Sequence, residues 1–417
     1  MVRSILAGFV SALVLTGPIL AAPKTTAPGA TVGELIALAR QLSPELAATA
    51  LTADAAIARI TSAGALPDPN FRVSGDNLDQ RNVSMNGITT VYRLMQEFPL
   101  WGKLDLKRDI AGFEATAAQY RRRGAEFELI ARVKSVFAAR YATFQARALT
   151  QRTLDTVLTS ATTLRDRYAQ GGTTQEDVLR LEIEAEELSI EIERLRGQQT
   201  KTAAQLNALL NRRPDAPLAI PVALRRLPNE GKMSVAVLVD RAIRLNPTIA
   251  EGEAKARSAT AAQTLAERNL YPDVSFGVMH TRDKNDSYAG TGVMGEVRIP
   301  LQWEAKEAEI AAASAERAAA EQRVNALRAG IGGELAGMLA EYRATAKTLQ
   351  IMQQHHLPKS ELVVRSALSA LESGQGDVLR VLDAIRRVRN MQLEILKIQV
   401  QQQALLAEIE KTIGGDL

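Results

Sequence analysis

Two hydrophobic patterns follow each other along the chain, and each of them occurs twice. Apolar and polar residues alternate singly at about 70–77 and 89–98, and again at about 273–281 and 291–299. A period of two is typical of strands that have one apolar and one polar face. The segments between the members of each pair are polar and contain Asn, Asp, Ser and Gly, which favours hairpin loops. The sequence therefore predicts two strand pairs.

Long helices are predicted after each strand pair. Residues 102–170 contain no proline and residues 303–373 contain only Pro358. At about 1.5 Å per residue, a helix over either stretch would be roughly 100 Å long. Helices of about half that length are predicted at 177–212 and 377–413, after a short turn in each case.

The half-length helices carry a heptad repeat. Two series of positions recur every seven residues in 177–212, and the same pattern returns 200 residues later. Such positions predict coiled-coil packing, and an ordinary helix bundle is the alternative. The first series is Val178, Ala185, Ile192, Gln199 and Leu206, and the second is Leu181, Leu188, Leu195, Thr202 and Leu209.

Matching residues indicate that the chain contains two copies of one module. Pro44 and Pro247 lie 203 residues apart, and so do Pro69 and Pro272. A nearly constant period over most of a chain is the signature of an internal repeat. We therefore expect a first repeat at 23–230 and a second at 231–417. Further matches join Phe98-Pro99-Leu100 to Ile299-Pro300-Leu301, and Asp177-Val178-Leu179 to Asp377-Val378-Leu379.

Geometry turns this repeat into a prediction about assembly. Strands of about nine residues match a tilted membrane-spanning strand, and lipid tolerates no unpaired sheet edge. Single-chain barrels begin at about eight strands, so four strands per chain require at least two subunits. A helix at about 32–65, with a break at Ser43-Pro44, is together with 177–212 about as long as 102–170. We expect the two shorter helices to stack end to end beside the long one.

The N-terminal segment and the composition indicate that the protein is secreted from the cytoplasm and argue against a nucleic acid as its partner. Residues 1–22 have the layout of a secretory signal peptide, with Arg3 before an apolar run. The chain has no cysteine, so we expect neither disulfide bonds nor a lipidated N-terminal cysteine. The net charge is +4, from 51 basic and 47 acidic residues that are interspersed, which argues against nucleic-acid binding.

Two duplicated motifs connect these elements. One is Phe98-Pro99-Leu100-Trp101-Gly102-Lys103 with its partner Ile299-Pro300-Leu301. The other comprises the turns from Arg167-Tyr168-Ala169-Gln170-Gly171 to Asp177-Val178-Leu179 and from Gly374 to Asp377-Val378-Leu379. In this order, and in two copies, the motifs resemble the TolC-like outer-membrane efflux family over essentially the whole mature chain.

The resemblance implies a mainly α fold with a small β part. Long coiled-coil helices would form a periplasmic α-barrel, and four strands per chain would contribute to a twelve-stranded transmembrane β-barrel in a homotrimer. It also implies a place in the outer-membrane lipid of a Gram-negative bacterium. There the turn tips would dock onto a periplasmic adaptor (membrane fusion protein) and an inner-membrane RND pump, and conduction would be passive.

Within the family, the junction motif and the absence of a lipidation cysteine are most like the metal-cation branch. The resemblance therefore implies heavy-metal cations as the cargo. Efflux of organic compounds and type I protein secretion are alternatives within the same family. A soluble periplasmic coiled-coil adaptor or scaffold is an alternative from a different class, but it leaves the four alternating segments without a role.

The two turns are the expected docking and gating tips. Gly171 and Gly374 can supply the left-handed backbone of a helix-to-helix turn. The tyrosine that the family has before the tip glycine is Tyr168 in the first copy, but Leu371 stands there in the second. In the family an acidic ring narrows the second tip.

Asp377 matches the first acid of that ring. The next position, one turn later, is Arg380, and Asp383 follows after a further turn. A ring of three Asp377 carboxylates would repel one another and attract cations, and Arg380 could close the gate on an acid of a neighbour. The alternative is that Asp177 and Asp377 are helix N-caps, and both roles are compatible.

The polar faces of the strands are expected to line the lumen. Their mixed charges predict a wet, weakly selective pore, whereas the alternative is the solvated face of a soluble sheet. The residues concerned are Arg72, Asp76, Arg93, Glu97, Glu296 and Arg298.

No motif for catalysis, metal binding or a cofactor is recognisable. His355 and His356 are adjacent, so on a helix they point in different directions and chelate one ion poorly. His280 follows an apolar strand face. Because the sequence has no zinc-protease, P-loop or nucleophile-elbow motif, we expect neither an enzyme nor a cofactor.

Overall fold

The computed structural model describes residues 27–76, 89–228, 233–283, 289–373 and 375–417. The predicted signal peptide, 1–22, lies outside them. In the first half, the described residues form four helices and two strands. In chain order these are α1 (Val32–Leu42), α2 (Pro44–Ala63), β1 (Asn70–Asp76), β2 (Thr89–Phe98), α3 (Lys103–Ala169) and α4 (Gln175–Leu209).

The second half repeats this order. Its elements are α5 (Val235–Leu245), α6 (Pro247–Arg268), β3 (Asp273–Asp283), β4 (Ala289–Arg298), α7 (Trp303–Ile351), α8 (Leu357–Glu372) and α9 (Val378–Ile413). The molecule therefore has the mainly helical architecture with a small sheet, and the internal repeat, that the sequence predicts.

The long helix of the second half is not continuous. A π-helical turn at Met352–His356 separates α7 from α8, whose second residue is Pro358. Proline has no backbone N–H, and its ring would collide with the carbonyl four residues earlier in a regular helix. A wider π turn relieves that collision, which explains why only this copy of the long helix is interrupted.

In the first half, α1 and α2 follow α4 end to end, and together they lie beside the long helix α3. Ser43 separates α1 from α2, and Pro44 starts α2 where its missing N–H has no cost. Leu35 and Ala39 of α1 share a buried cluster with Val133 of α3 and Leu206 of α4. The junction between the shorter helices therefore lies against the middle of α3, as predicted.

Heptad positions form the core of the helical part. Val178, Leu181, Ala185 and Leu188 of α4 are buried against α3, α8 and α9. The polar interruption of the pattern is also buried, with Gln199 and Thr202 in α4 and Gln402 in α9. The coiled-coil prediction is confirmed, and α3 packs on several sides, against α2, α4, α6 and α9.

The four described strands form one antiparallel sheet in the order β1-β2-β3-β4. The two hairpins are joined because β2 pairs with β3 along its whole length, from Thr89 opposite Asp283 to Phe98 opposite Val274. Within the described residues of one chain, the outer edges of β1 and β4 have no strand partner.

Contacts of Trp101 and Lys103 with the segment 271–273, here called the clamp, hold the sheet against the helices. Trp101 and Gly102, before α3, both have left-handed backbone, with φ of 64° and 72°. The Trp101 indole N–H donates to the carbonyl of Pro272 at 2.8 Å. Lys103 donates to the Asp273 carboxylate at 2.8 Å and to the carbonyl of Tyr271 at 2.9 Å. The junction motif of the first repeat thus holds the start of β3.

Candidate functional site

The first tip is the turn between α3 and α4. Gly171 has a φ of 73°, the left-handed backbone predicted for it. Its N–H donates to the carbonyl of Tyr168 at 3.0 Å, and the Tyr168 side chain is exposed. The tyrosine is therefore available on the tip surface.

Asp177 is not the N-cap of α4, contrary to one of the two readings of the sequence. The cap is Thr174, whose hydroxyl accepts from the backbone N–H of Asp177 at 3.2 Å. The carboxylate of Asp177 accepts in return from Thr174 at 2.7 Å and from Thr173 at 3.1 Å. The threonine precedes the acid by three residues, which is the spacing of a reciprocal capping box. The Thr174 hydrogen bond is the main cause of a lowered Asp177 pKa.

The second tip brings three predicted residues to one surface. Asp377 is the N-cap of α9 and accepts from the N–H of Leu379 at 2.9 Å. Asp377, Arg380 and Asp383 line the same concavity between α8 and α9. Asp383 pairs with Arg387 at 2.9 Å, whereas Arg380 has no ion-pair partner among the described residues. The cap role of Asp377 is confirmed, and its exposed side chain is free for a second role.

The glycine that the second turn requires is Gly376. A Cβ atom there would lie 2.4 Å from the backbone N of Leu371, so only glycine fits. Sequence reasoning singled out Gly374, which lies outside the described residues, and missed Gly376. The signal was present, since Gly376 directly precedes the N-cap, but the close approach of the α8 backbone cannot be read from spacing.

Contacts between the first helix pair (α3 and α4) and the second helix pair (α8 and α9) hold the tips together. Arg167 of α3 donates to the carbonyl of Leu371 at 2.5 Å and also to that of Glu372. Farther from the tips, Glu184 of α4 is only 1% exposed and pairs with Arg386 of α9. That hydrogen bond is the main cause of a raised Arg386 pKa. These contacts were not predicted, because they join residues about 200 positions apart.

The sheet sorts its side chains onto two faces. The register places Arg72 opposite Arg93, and Glu97, Ser275 and Glu296 in one row across three strands. Arg298 shares this face and pairs with Glu97 at 3.0 Å. Asp76 stands opposite Thr89 at the end of β1, and its side chain lies outside the described residues.

The opposite face of the sheet is apolar and exposed to an unusual degree. It carries large hydrophobic side chains that no other described part of the chain covers, which marks an interaction surface. Its most exposed members are Phe71, Val73, Phe276, Val293 and Val297.

The three histidines do not form a metal site. His280 lies on β3 beside Tyr92, and its Nδ1 is 3.0 Å from the Thr291 hydroxyl. His355 and His356 are exposed in the π-helical turn. In the described part of the chain, no group of three or more His, Cys, Asp or Glu residues could hold a metal ion.

No described helix has both the length and the apolar character needed to cross a membrane.

Comparison with protein families decides the classification. The model of the family described as "Outer membrane efflux protein" matches residues 35–212 and again residues 238–415. The chain belongs to this family. Each match falls in one of the two repeats, and together they span most of the molecule. As an outer membrane efflux protein, the chain is a channel protein and not an enzyme.

Solved structures of membrane channels and outer-membrane proteins share this fold. The outer-membrane channel OprN is 17% identical, with a TM-score of 0.79 over 92% of this chain and 90% of its own. VceC from Vibrio cholerae is 18% identical, with a TM-score of 0.76 over 92% and 96%. CusC, which forms a transmembrane channel, is 17% identical, with a TM-score of 0.77 over 92% of both chains. A search of curated protein sequences found no significant match. At these identities the structural likeness concerns the fold.

Proposed function

We propose that this outer membrane efflux protein works as a homotrimeric duct through the outer membrane of a Gram-negative bacterium. In this role it receives cargo from a periplasmic adaptor and an inner-membrane RND pump and conducts it passively to the exterior. The observation that carries the proposal is the sheet, which has one polar face, one exposed apolar face and two unpaired edges. A sheet of this kind is stable in lipid only if its edges are closed.

The internal repeat supplies a register for that closure. Within the chain, Phe98 of β2 stands opposite Val274 of β3. Phe98 of the first repeat is equivalent to Ile299 of the second, and Phe71 is equivalent to Val274. If β4 of one copy pairs with β1 of the next as β2 pairs with β3, Ile299 would face Phe71 of the next copy. Val297 would then face Val73, and both side chains already lie on the exposed apolar face. The register therefore keeps the polar residues Arg72, Arg93, Glu97, Glu296 and Arg298 together on an inward face.

Cysteine cross-linking tests the assembly cleanly, because the chain has no cysteine of its own. Residues opposite one another in a sheet are close enough for a disulfide. We expect Val73→Cys/Val297→Cys to give a covalently linked trimer in outer-membrane fractions. The control Val73→Cys/Val278→Cys places both cysteines on the same face but not at the shared edge, and should give none. Recovery of the chain in the soluble periplasm would instead support a coiled-coil scaffold.

The second tip is the proposed gate. Three copies of Asp377 and Arg380 around one axis would constrict the end of the tube and set its charge. The first tip, with Tyr168, Gly171 and Asp177, is proposed to dock the adaptor. We expect Asp377→Ala to change conductance or cation preference in planar bilayers. Wild-type values for both would mean that Asp377 is only a helix cap.

Heavy-metal cations are the proposed cargo. The support is the junction motif from Phe98 to Lys103, which is most like the metal-cation branch of the family. Deletion of the gene should lower tolerance to one or more of Zn, Co, Cd, Ni, Cu and Ag. Unchanged metal tolerance with lower tolerance to organic toxicants would favour organic-compound efflux, and loss of a secreted protein would favour type I secretion.

A further inference from the structure

Three of the nine methionines lie close together on the polar face of the sheet. Met95 of β2, Gly277 of β3 and Met294 of β4 form one row across the strands. Met279 is two residues beyond Gly277 on β3, in the row of Arg93 and Gly292. It is therefore the diagonal neighbour of both other methionines, about 7–8 Å away, which long side chains can bridge.

Glycines leave the space that these side chains share. A Cβ atom on Gly277 would lie 2.4 Å from the Met95 sulfur, so the thioether occupies the place of the missing side chain. A Cβ atom on Gly292 would lie 3.6 Å from the terminal methyl of Met279. All three methionines are half-buried. The Met95 sulfur therefore lies over Gly277, whose neighbours on the same face are Met294 across the strands and Met279 two residues along β3.

Thioether sulfur is a soft, neutral ligand. It selects soft cations such as Cu(I) rather than hard or borderline ions, which prefer carboxylate or imidazole. Charges in the neighbouring rows differ in sign along the strands. The row on the helix side contains Glu97 and Glu296, whereas the row on the far side contains Arg93. A cation coming from the helical end would therefore pass Arg298, which pairs with Glu97, and meet the carboxylates of Glu97 and Glu296 before the sulfurs.

We propose that Met95, Met279 and Met294 form a transit site for a soft monovalent cation such as Cu(I) or Ag(I). The site rests on the proposed function, since it requires the polar face to line the duct. Arg93 stands opposite Met279 and opposes accumulation of cations, so the ion is held weakly enough to leave. Conduction needs this balance, because a site that binds too tightly blocks its own pore.

The alternative is that the methionines only pack. Methionine fills irregular gaps in protein interiors, and a glycine in a neighbouring strand creates such a gap. Leucine separates the two roles, because Met-to-Leu replacements conserve most of the side-chain volume and are among the best tolerated changes in protein interiors. A leucine has no atom that can bind the metal.

Binding of Ag(I), and of Cu(I) under a reductant, is measured on the full-length protein purified in detergent. We expect one ion per chain, an X-ray absorption spectrum with sulfur neighbours only, and no competition by Zn(II). The variant Met95→Leu/Met279→Leu/Met294→Leu should bind at least tenfold more weakly, with an unchanged circular dichroism spectrum. The control Met338→Leu, at a partly buried residue that packs against a hydrophobic cluster of the helical part, should bind like the wild type.

The outcomes separate this inference from the proposed function. Absent binding, a metal shell of oxygen or nitrogen, or equal affinity in the triple variant and the wild type would overturn the methionine site. If the wild type nevertheless conducts ions in planar bilayers, the proposed channel stands. Absent conductance together with Ag(I) binding would refute the duct.

Discussion

Replacing Lys103 by methionine tests whether the clamp holds the sheet on the helices. The change preserves most of the side-chain volume but removes the ammonium group. Asp273 then keeps only the N–H of Leu100, at 3.1 Å, as a donor, and the carbonyl of Tyr271 loses its bond from Lys103. The Lys103 side chain is 5% exposed and that of Asp273 is 18% exposed, so water cannot fully replace the lost contacts.

The expected loss of stability follows from this burial. Removing one partner of a fully buried ion pair costs about 3–5 kcal/mol. Because Asp273 is partly exposed and keeps one hydrogen bond, we expect about 2–4 kcal/mol. The matched control is Lys306→Met. Lys306 pairs with Glu309 at the same distance of 2.8 Å, but their side chains are 26% and 52% exposed. Such a pair contributes about 0–1 kcal/mol.

Tryptophan fluorescence gives a local assay. The chain has two tryptophans, so Trp303→Phe leaves Trp101 as the sole reporter. Its ring centroid lies 5.1 Å from that of Tyr271, inside the clamp. In guanidinium titrations of the detergent-solubilised protein, Lys103→Met should lower the midpoint clearly more than Lys306→Met. Equal shifts in the two variants would refute the reasoning from burial.

Three further predictions concern the tips. Gly171→Ala should destabilise the first tip by about 1–2 kcal/mol, because alanine resists the left-handed backbone, whereas Gly172→Ala should not; hydrogen exchange at the tip compares them. Thr174→Val should raise the Asp177 pKa. A lowered carboxyl pKa stabilises the fold above the unfolded pKa, and this stability is lost as pH falls through the folded pKa. As pH is lowered, the amides in the first turn of α4 should thus lose their protection from hydrogen exchange, corrected for intrinsic rates, at a higher pH in the variant than in the wild type. An identical pH profile would contradict this. Arg167→Leu should increase bilayer conductance by parting α3 from the end of α8, and unchanged conductance would mean that this link does not restrain the tube.

The sequence predicted the elements well because each pattern is local. Single alternation and heptads depend only on neighbouring residues, and the repeat confirmed each assignment a second time. The end-to-end stacking of the helix at 32–65 with α4, beside α3, followed from their lengths. The grouping of Arg72 and Glu97 on one face followed from the period of two.

The missed contacts of the clamp and of the paired tips join distant parts of the chain. The donors for the Asp273 carboxylate come from Leu100 and Lys103, which the sequence places about 170 positions away. The need for glycine at Gly376 arises nearer by, because the turn folds back onto the backbone of Leu371, five residues earlier at the end of α8. Thr174 is different, since its spacing from Asp177 is a local signal for a cap and was overlooked in favour of the acid.

The clamp also bears on how the proposed trimer would deform. Six sheet-to-helix junctions would surround its axis, three within chains and three between them. At the position equivalent to Lys103 the second repeat has Glu304, and at the position equivalent to Asp273 the first repeat has Asn70. A junction between chains would join Glu304 to Asn70 and would therefore lack the ion pair. Stiff and compliant joints would alternate around the ring. Its softest motions would then be three-fold, with each chain tilting as a unit and the gaps widening between chains.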